Sequence, residues 1–241
     1  MNWMNSWFAD GVVQGPAVGL LTFEQWNRLV SEAERVQQDP ELAKQATMES
    51  QNRAVAKTFL KQWLGRYPVH DPDSIWADIE RTLRPYAAEY LRKPAIPRFY
   101  NLLDVTPSDA SPSRSQLWHQ DQEDRRIAKA FIYLSDVTPE AGPLYYAKGT
   151  QSDGPYAAAR KRIQIYLEPV TNWARATDDA VAKVVPRDQW HVGLGPTGSM
   201  LLVDTAGYHR GGHATGARRL SAVWMWTSAN DRNGSRLQGF K

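Results

Sequence analysis

Apolar residues at helical spacing predict that the N-terminal part of the chain is mostly helical. Residues 1–21 lack this spacing and carry Gly and Pro, so we expect them to be extended, as an arm or an edge strand. Thr22 and Gln25 then fit a capping box, in which the Thr22 hydroxyl caps the helix and the Gln25 side chain reaches back. An apolar face follows at helical intervals, formed by Phe23, Trp26, Leu29, Val30 and Ala33.

Two further helices are predicted before residue 95. Asp39-Pro40 begins the second, with Pro in its first turn, and the pattern carries it, with a break near Ser50, to Leu64. The third follows Asp71-Pro72-Asp73, and Pro85 should kink or restart it because proline removes an intrahelical hydrogen bond. Its apolar face is formed by Ile75, Ile79 and Leu83. Residues 1–95 are therefore expected to form a mostly helical layer.

The pattern changes from helical to β after the Lys-Pro-Ala-Ile-Pro segment at 93–97. Apolar strands are predicted at 98–105, 127–134, 144–147, 199–204 and 218–226. Neither half of the chain offers a closed core by itself, so we expect one domain over residues 1–241, with its β core at 96–229. Residues 152–190 form an insertion, whose part from 156 to 187 is expected to cover the mouth of a site.

Composition excludes some classes of site. The 241 residues contain no Cys, so a disulfide framework, a thiolate metal site and a Cys nucleophile are excluded. The balance of 29 basic against 26 acidic residues gives a net charge of +3, which neither indicates nor excludes a nucleic-acid partner. The sequence shows no signal peptide and no run of apolar residues long enough to span a bilayer. We therefore expect a cytoplasmic protein without a membrane partner.

Trp118-His119-Gln120-Asp121 is the strongest candidate for chemistry. On an extended strand, residues two apart point to the same side of the sheet, so His119 and Asp121 can reach one metal ion. Non-haem Fe(II) oxygenases bind iron through two His and one carboxylate, which leaves three coordination positions open. A third ligand must therefore come from a distant part of the chain.

Three candidates for that third ligand follow Asp121: His191, His209 and His213. His209 is the best placed, because it comes after an apolar strand and a short turn. His213 is its rival, although the two Gly between them disfavour a zinc-binding His-x-x-x-His helix. His191, like His70 in a helix linker, is expected to be structural or exposed.

Arg219 is a candidate for binding an anion. It lies within an apolar strand, where an unpaired cation is costly, and alternation places Ser221 on the same face. The planar guanidinium pairs with a carboxylate through two hydrogen bonds, so an anionic cosubstrate would explain it. Lys129 is the second choice for this role, and Arg218 is expected to point to the opposite face, into solvent.

Taken together, these motifs resemble the phytanoyl-CoA dioxygenase-like family of non-haem Fe(II)/2-oxoglutarate-dependent oxygenases. The resemblance rests on WHQD at 118–121, on FIYLSDVTPEAGPLYYAKGT at 131–150, and on GSMLLVDTAGYHRGG at 198–212 followed by RRLS. The chain departs from the family pattern at 148–151, where members often carry Pro-Gly-Ser-His, and at Gly211, which is often Ser. Neither departure touches a candidate metal ligand.

The resemblance implies a mainly β fold, a double-stranded β-helix or jelly roll with the N-terminal helices packed outside. It implies that Fe(II) is held by His119, Asp121 and His209. The cosubstrate 2-oxoglutarate would bind the iron and reach Arg219 and Ser221, with Asn101 as a weaker candidate contact. Together with O₂, these cofactors would support hydroxylation of an unactivated C–H bond of a small molecule, with release of succinate and CO₂.

Other functions stay open at this point. The chain could be a sensor that binds metal and 2-oxoglutarate without turnover. It could also be an oxygenase that acts on a modified base or a natural product with another oxidative outcome. Halogenation is disfavoured, because halogenases replace the carboxylate ligand with a small residue and this chain has Asp121. The sequence identifies neither the substrate nor the oligomeric state.

Overall fold

The computed structural model of the protein describes residues 3–51, 59–64, 71–169 and 172–228. Four helices precede the β core and a short fifth lies in the insertion: α1 Trp3–Asp10, α2 Phe23–Gln38, α3 Pro40–Gln51, α4 Ile75–Leu91 and α5 Asp178–Ala182. The capping box at the start of α2 is formed as predicted, with Thr22 Oγ1 accepting from Gln25 N and Gln25 Oε1 accepting from Thr22 N, each at 3.1 Å. In the part of the chain described, no helix is long and apolar enough to cross a membrane.

The strands pair antiparallel in three sheets. They are β1 Val12–Pro16, β2 Leu60–Gln62, β3 Ala95–Val105, β4 Ala128–Tyr133, β5 Leu144–Ala147, β6 Ile165–Leu167, β7 Ala174–Ala176, β8 Trp190–Val192, β9 Ser199–Asp204, β10 His209–Gly211 and β11 Arg219–Ser228. A six-stranded sheet has the order β1-β9-β4-β11-β3-β2, and the smaller sheets are β10-β5-β8 and β6-β7.

Two bridges join the small sheets into a second layer. His119 pairs with His209 of β10, and Trp118 pairs with Ala176 of β7. The layer therefore runs β8-β5-β10, then the 118–119 segment, then β7-β6. A six-stranded antiparallel sheet facing this layer is the double-stranded β-helix that the family resemblance implies.

Side-chain alternation along β11 separates a helix-facing side from a site-facing side. Trp224 and Trp226 point to α4, where their ring N–H groups donate to the Trp76 carbonyl at 2.9 Å and to Glu80 Oε1 at 2.6 Å. They share a large core with buried residues of α2 and α4, so the helices pack outside the jelly roll, as predicted. The alternate residues of β11, beginning with Arg219, face the second layer.

The first 21 residues are less extended than predicted. The Gly and Pro that indicated an extended chain all follow Asp10, and before them α1 forms and buries Trp7 against Tyr90, with ring centroids 4.1 Å apart. The helix is therefore stabilised by packing against a ring that is distant in the sequence, and local composition does not reveal it. The edge strand itself is confirmed, because β1 lies at one end of the six-stranded sheet.

The second and third helices also differ from prediction. The second was expected to run to Leu64 with a break near Ser50. Helix α3 ends at Gln51, close to that break, but residues 60–62 form β2, which pairs with β3 at the sheet edge. Residues 52–58, in the same predicted helix, lie outside the described part, as do His70 and the tail from 229. Pro85 does not break α4, whose buried face, with Ile79 and Leu83, packs on the sheet and holds the helix despite the missing hydrogen bond.

Candidate active site

The fold brings His119, Asp121 and His209 together. One ligand atom from each lies within 4.8 Å of the others, and the described residues contain no other group of this kind. Nε2 of His119 is 3.9 Å from Asp121 Oδ1, and Nε2 of His209 is 3.9 Å from Asp121 Oδ2. The three side chains thus converge on one point between the two layers.

Backbone hydrogen bonds fix this convergence. His119 and His209 exchange both N–H···O bonds across their bridge, each at 3.0 Å, and Asp121 N donates to the Thr205 carbonyl at 2.9 Å. The predicted strand through 118–121 is therefore an extended segment held by single bridges rather than a continuous ladder. The expectation that residues two apart would share one site is nevertheless met.

Hydrogen bonds assign the tautomer of both His. Nδ1 of His119 lies 2.8 Å from the Leu117 carbonyl, and Nδ1 of His209 lies 3.0 Å from the Gly207 carbonyl. A carbonyl can only accept, so each Nδ1 carries the proton and each Nε2 presents a lone pair toward Asp121. Burial lowers the pKa of both imidazoles, and for His119 the neighbouring His209 adds to this effect. Both rings are therefore neutral at pH 7, the form that binds a metal ion.

Lys129 of β4 lies against the candidate carboxylate ligand. Its Nζ donates to Asp121 Oδ2 at 2.6 Å, and both side chains are largely buried. Burial opposes ionisation of Asp121, but the neighbouring charges, chiefly the Lys129 cation, outweigh it and hold the pKa of the carboxyl below its usual value. Lys129, the second choice for the cosubstrate, thus lies beside a candidate metal ligand instead.

Arg219 lies at the start of β11 on the site-facing side. Its Nη1 donates to the Gly142 carbonyl, and within the described residues it has no carboxylate partner. Burial lowers the pKa of this guanidinium, and only Tyr133 opposes that effect. A Cβ built at Gly211 would lie 3.5 Å from Arg219 Nη2, so the guanidinium reaches the strand that carries His209.

Ser221 and Asn101 share the face of Arg219. Ser221 is buried two residues along β11, and Asn101 of β3 lies opposite Val223, the next residue on that face. The Asn101 side-chain oxygen accepts from Leu64 N at 3.2 Å. The structure therefore places both residues on the wall where the sequence predicts cosubstrate contacts.

Arg218 differs from its predicted solvated state. It does point to the opposite face, but there it forms a two-pronged ion pair with Asp104, from Nε at 2.6 Å and Nη2 at 2.9 Å. Its Nη2 also donates to Gln37 Oε1 at 2.5 Å. The Asp104 side chain is only 4 % exposed, so the ion pair joins the residue before β11 to β3, and the Gln37 bond joins it to α2.

The remaining described histidines lie outside the triad. His213 Nδ1 is 3.1 Å from Gln116 Nε2, and His191 of β8 lies with Nε2 3.0 Å from Gln14 Oε1. Burial lowers the pKa of His191 to about 4. The structural role expected for His191 fits this placement.

The insertion at 152–190 was expected to cover the mouth of the site, and one of its strands pairs directly with the segment that carries His119. Within the insertion a short helix, α5, begins at Asp178, and the β6-β7 hairpin, which was not predicted, pairs beside Trp118 through Ala176. This hairpin brings Arg175 to the site, a residue for which the sequence pattern predicts no functional role. Its only local signal is one basic residue between two Ala.

Comparisons with known proteins support the fold. No protein-family model and no curated protein sequence matches the chain. Among solved structures, the carbocyclase SnoK from nogalamycin biosynthesis, described as non-haem and α-ketoglutarate-dependent, matches 99 % of this chain and 90 % of its own, with a TM-score of 0.61 and 15 % identity. EctD from S. alaskensis, solved with 2-oxoglutarate and 5-hydroxyectoine, matches 95 % and 76 %, with a TM-score of 0.62 and 15 % identity.

HygX from Streptomyces hygroscopicus, solved with nickel and 2-oxoglutarate, matches 95 % of this chain and 87 % of its own, with a TM-score of 0.57 and 14 % identity. The chain therefore shares the double-stranded β-helix fold of these three structures. At such identities the likeness establishes the fold alone, and the phytanoyl-CoA dioxygenase-like family stays a prediction.

Proposed function

We propose that the chain is a non-haem Fe(II)- and 2-oxoglutarate-dependent oxygenase that hydroxylates an unactivated C–H bond of a small molecule. One observation carries this proposal: three ligand atoms converge between the layers, and Arg219, without a carboxylate partner in the described residues, faces the same space. On this proposal residues 1–241 act as one oxygenase domain.

The triad fits Fe(II) by its chemistry. Two neutral imidazoles present Nε2, and one ionised carboxylate supplies the charge. His119, Asp121 and His209 would bind one face of the ion and leave its other positions open for cosubstrate and oxygen. The Nδ1–H bonds to the Leu117 and Gly207 carbonyls fix the two rings, an arrangement common among metal-binding His.

Arg219 fits the distal carboxylate of 2-oxoglutarate. A buried guanidinium whose bond goes to a backbone carbonyl retains donors for an anion, and its fork matches a carboxylate. Ser221, on the same face, would donate a further hydrogen bond, and Asn101 would contact the cosubstrate from β3. When bound, Fe(II) and 2-oxoglutarate would supply an oxidant made from O₂, with release of succinate and CO₂.

The residues of this chain would orient these groups and exclude water. Lys129 holds one oxygen of Asp121 and keeps the carboxylate ionised. Leu201 and Val223, both fully buried, line the site-facing side of the six-stranded sheet and keep that wall dry. The reacting C–H bond would be held by groups above the triad, where the insertion lies.

Turnover distinguishes this proposal from its alternatives. A sensor would bind Fe(II) and 2-oxoglutarate without forming succinate, and the structural neighbours include a carbocyclase and an epimerase, so fold does not fix the outcome. The test is a screen of small metabolites for stimulated succinate formation, with product masses compared with the parent compound. A gain of one oxygen atom supports hydroxylation, whereas saturable cosubstrate binding without succinate under any condition would identify a sensor.

A further inference from the structure

A buried cluster of two arginines and one glutamate lies beside the triad. Its residues are Arg114, Arg175 and Glu168. All three residues are less than a tenth exposed. Arg114 Nη1 is 3.3 Å and Arg175 Nε is 3.7 Å from the same oxygen, Glu168 Oε2. The other oxygen, Oε1, accepts from the Arg114 backbone N–H at 3.0 Å.

The charges of this group do not balance. Two guanidiniums share one carboxylate, and within the described residues neither has another ion-pair partner. Arg114 Nη1 and Arg175 Nε are also buried without a hydrogen-bond partner of good geometry. A buried cation without compensation is costly, so the group is suited to receive an anion.

The strand register places Arg175 next to the candidate metal centre. Ala176 lies opposite Trp118 in an antiparallel pair, so Arg175 falls opposite His119, and His119 lies opposite His209. Directly opposite residues in antiparallel strands point to the same face. His209, His119 and Arg175 therefore form a row across three neighbouring segments. Trp118, the residue before His119, points to the opposite face, where the Arg210 guanidinium lies 5.5 Å over its ring.

Arg114 and Trp173 complete the surroundings. Arg114 lies in a short turn, Arg114–Gln116, that packs against β10, the strand of His209. The Arg175 guanidinium lies 5.3 Å over the ring of Trp173, which is 49 % exposed. Charge effects agree with this placement, since Arg175 depresses the pKa of both His119 and His209. The group thus extends from the triad toward solvent along the insertion.

We propose that Arg114 and Arg175 form a substrate-binding subsite for an anionic group, so that the substrate of this oxygenase carries a carboxylate or a phosphate. This inference rests on the proposed function and narrows its substrate class. The cosubstrate does not explain the group, because Arg219 and Ser221, its candidate contacts, lie on the other sheet. Glu168 orients the two guanidiniums and weakens the subsite by competing for them.

Direct binding tests the subsite without turnover. The full chain is loaded with zinc, a diamagnetic stand-in for iron, and saturated with 2-oxoglutarate. Arginine Nε–Hε signals are then followed by NMR during titration with acetate or with inorganic phosphate. The Arg175 signal should shift saturably with at least one probe, and the stronger response tells a carboxylate from a phosphate. The exposed Arg187 of the same insertion should not respond.

Opposite variants separate binding from a structural role. Arg175→Gln and Arg114→Gln should each weaken probe binding about tenfold or more, the value of a charged hydrogen bond. Glu168→Gln should strengthen binding, because it removes the competing carboxylate, and a merely structural group gives no such gain. Arg187→Gln is the matched control and should leave binding unchanged.

An activity assay with paired charged and neutral substrates is the second test of the subsite. Candidate substrates are supplied as pairs, an acid with its amide and a phosphate ester with its alcohol, and stimulated succinate is measured. Anionic members should stimulate, and Arg175→Gln should raise their KM about tenfold or more with a smaller effect on kcat. Equal stimulation by neutral members, or an unshifted Arg175 signal at saturating probe, would overturn the subsite. Absence of succinate in every assay would instead count against the proposed function, while the NMR titration still decides the subsite.

Discussion

Lys129 Nζ donates to Asp121 Oδ2 over 2.6 Å, so a buried cation already holds one oxygen of the candidate metal ligand. This contact keeps the carboxyl ionised against the cost of its burial. It also sets Lys129 in competition with a metal ion for that oxygen. The effect on the pKa of Asp121 matters only at acidic pH, where the carboxyl could take up a proton. The competition with a metal ion for Oδ2 does not require that proton.

Replacing Lys129 should shift the pH dependence of metal binding. Asp121 binds a metal only when ionised, and in Lys129→Met its pKa rises because the main cation that lowers it is gone. Anaerobic Fe(II) titrations should therefore show affinity falling at a higher pH in the variant than in the wild type. Lys148→Met, which removes a half-exposed ion pair with Asp10, is the matched control. An identical acid limb in both proteins would refute the role of Lys129.

Removal of His209 should abolish metal binding, while removal of His213 should not. His209 Nε2 faces Asp121, whereas His213 Nδ1 lies beside Gln116. His119→Ala and Asp121→Ala should lose Fe(II) binding in the same way, with circular dichroism confirming a folded chain. Fe(II) binding is measured by anaerobic calorimetry. If His213→Ala lost the metal and His209→Ala kept it, the third ligand would be assigned wrongly.

Substitution of Arg219 should affect cosubstrate binding, whereas substitution of Arg218 should affect stability. Arg219→Ala should raise the KM for 2-oxoglutarate about tenfold to a hundredfold, because a charged hydrogen bond contributes roughly 1.5–3 kcal/mol. Arg218→Ala leaves Asp104 buried without its cation and should lower the free energy of unfolding by about 1–2 kcal/mol, an ion-pair value reduced for the half-exposed Arg218. Initial rates and urea unfolding measure the two effects. A larger KM effect in Arg218→Ala would reverse the assignment of the two faces.

Local patterns predicted much of this architecture. The capping box of Thr22 and Gln25, the alternation along β11 and the two-residue spacing of His119 and Asp121 each depend on a few neighbouring residues. Such patterns are set by backbone geometry, so one sequence is enough to find them. The jelly-roll closure came from the family resemblance rather than from periodicity.

Long-range contacts decided what the sequence could not predict. Helix α1 depends on Trp7 stacking on Tyr90, and Arg218 is paired by Asp104, which is distant in the sequence. The placement of Arg175 beside His119 depends on a single bridge between Trp118 and Ala176. No local spacing encodes these pairings, because they form only when the layers assemble.

The last prediction concerns the buried Asp204 at the end of β9. Its Oδ2 accepts from Tyr90 Oη at 2.8 Å, and its Oδ1 accepts from Ile127 N and Ala206 N at 3.0 Å each. Burial outweighs these bonds and raises the pKa of Asp204 to about 6. A raised pKa means that the folded state binds this proton more tightly than the unfolded state. The stability from Asp204 is therefore full below its unfolded pKa and is lost as pH rises through about 6.

Asp204→Asn removes this titration while its side-chain oxygen can still accept both backbone bonds. The free energy of unfolding of the wild type, minus that of the variant, should fall by a few kcal/mol between about pH 4 and pH 7, as measured by urea unfolding. Asp136→Asn is a control of opposite sign. Hydrogen bonds from Thr197 lower the pKa of Asp136, so the wild-type advantage there should shrink as pH falls. A pH-independent difference for Asp204→Asn would show that its carboxyl does not titrate in the native protein.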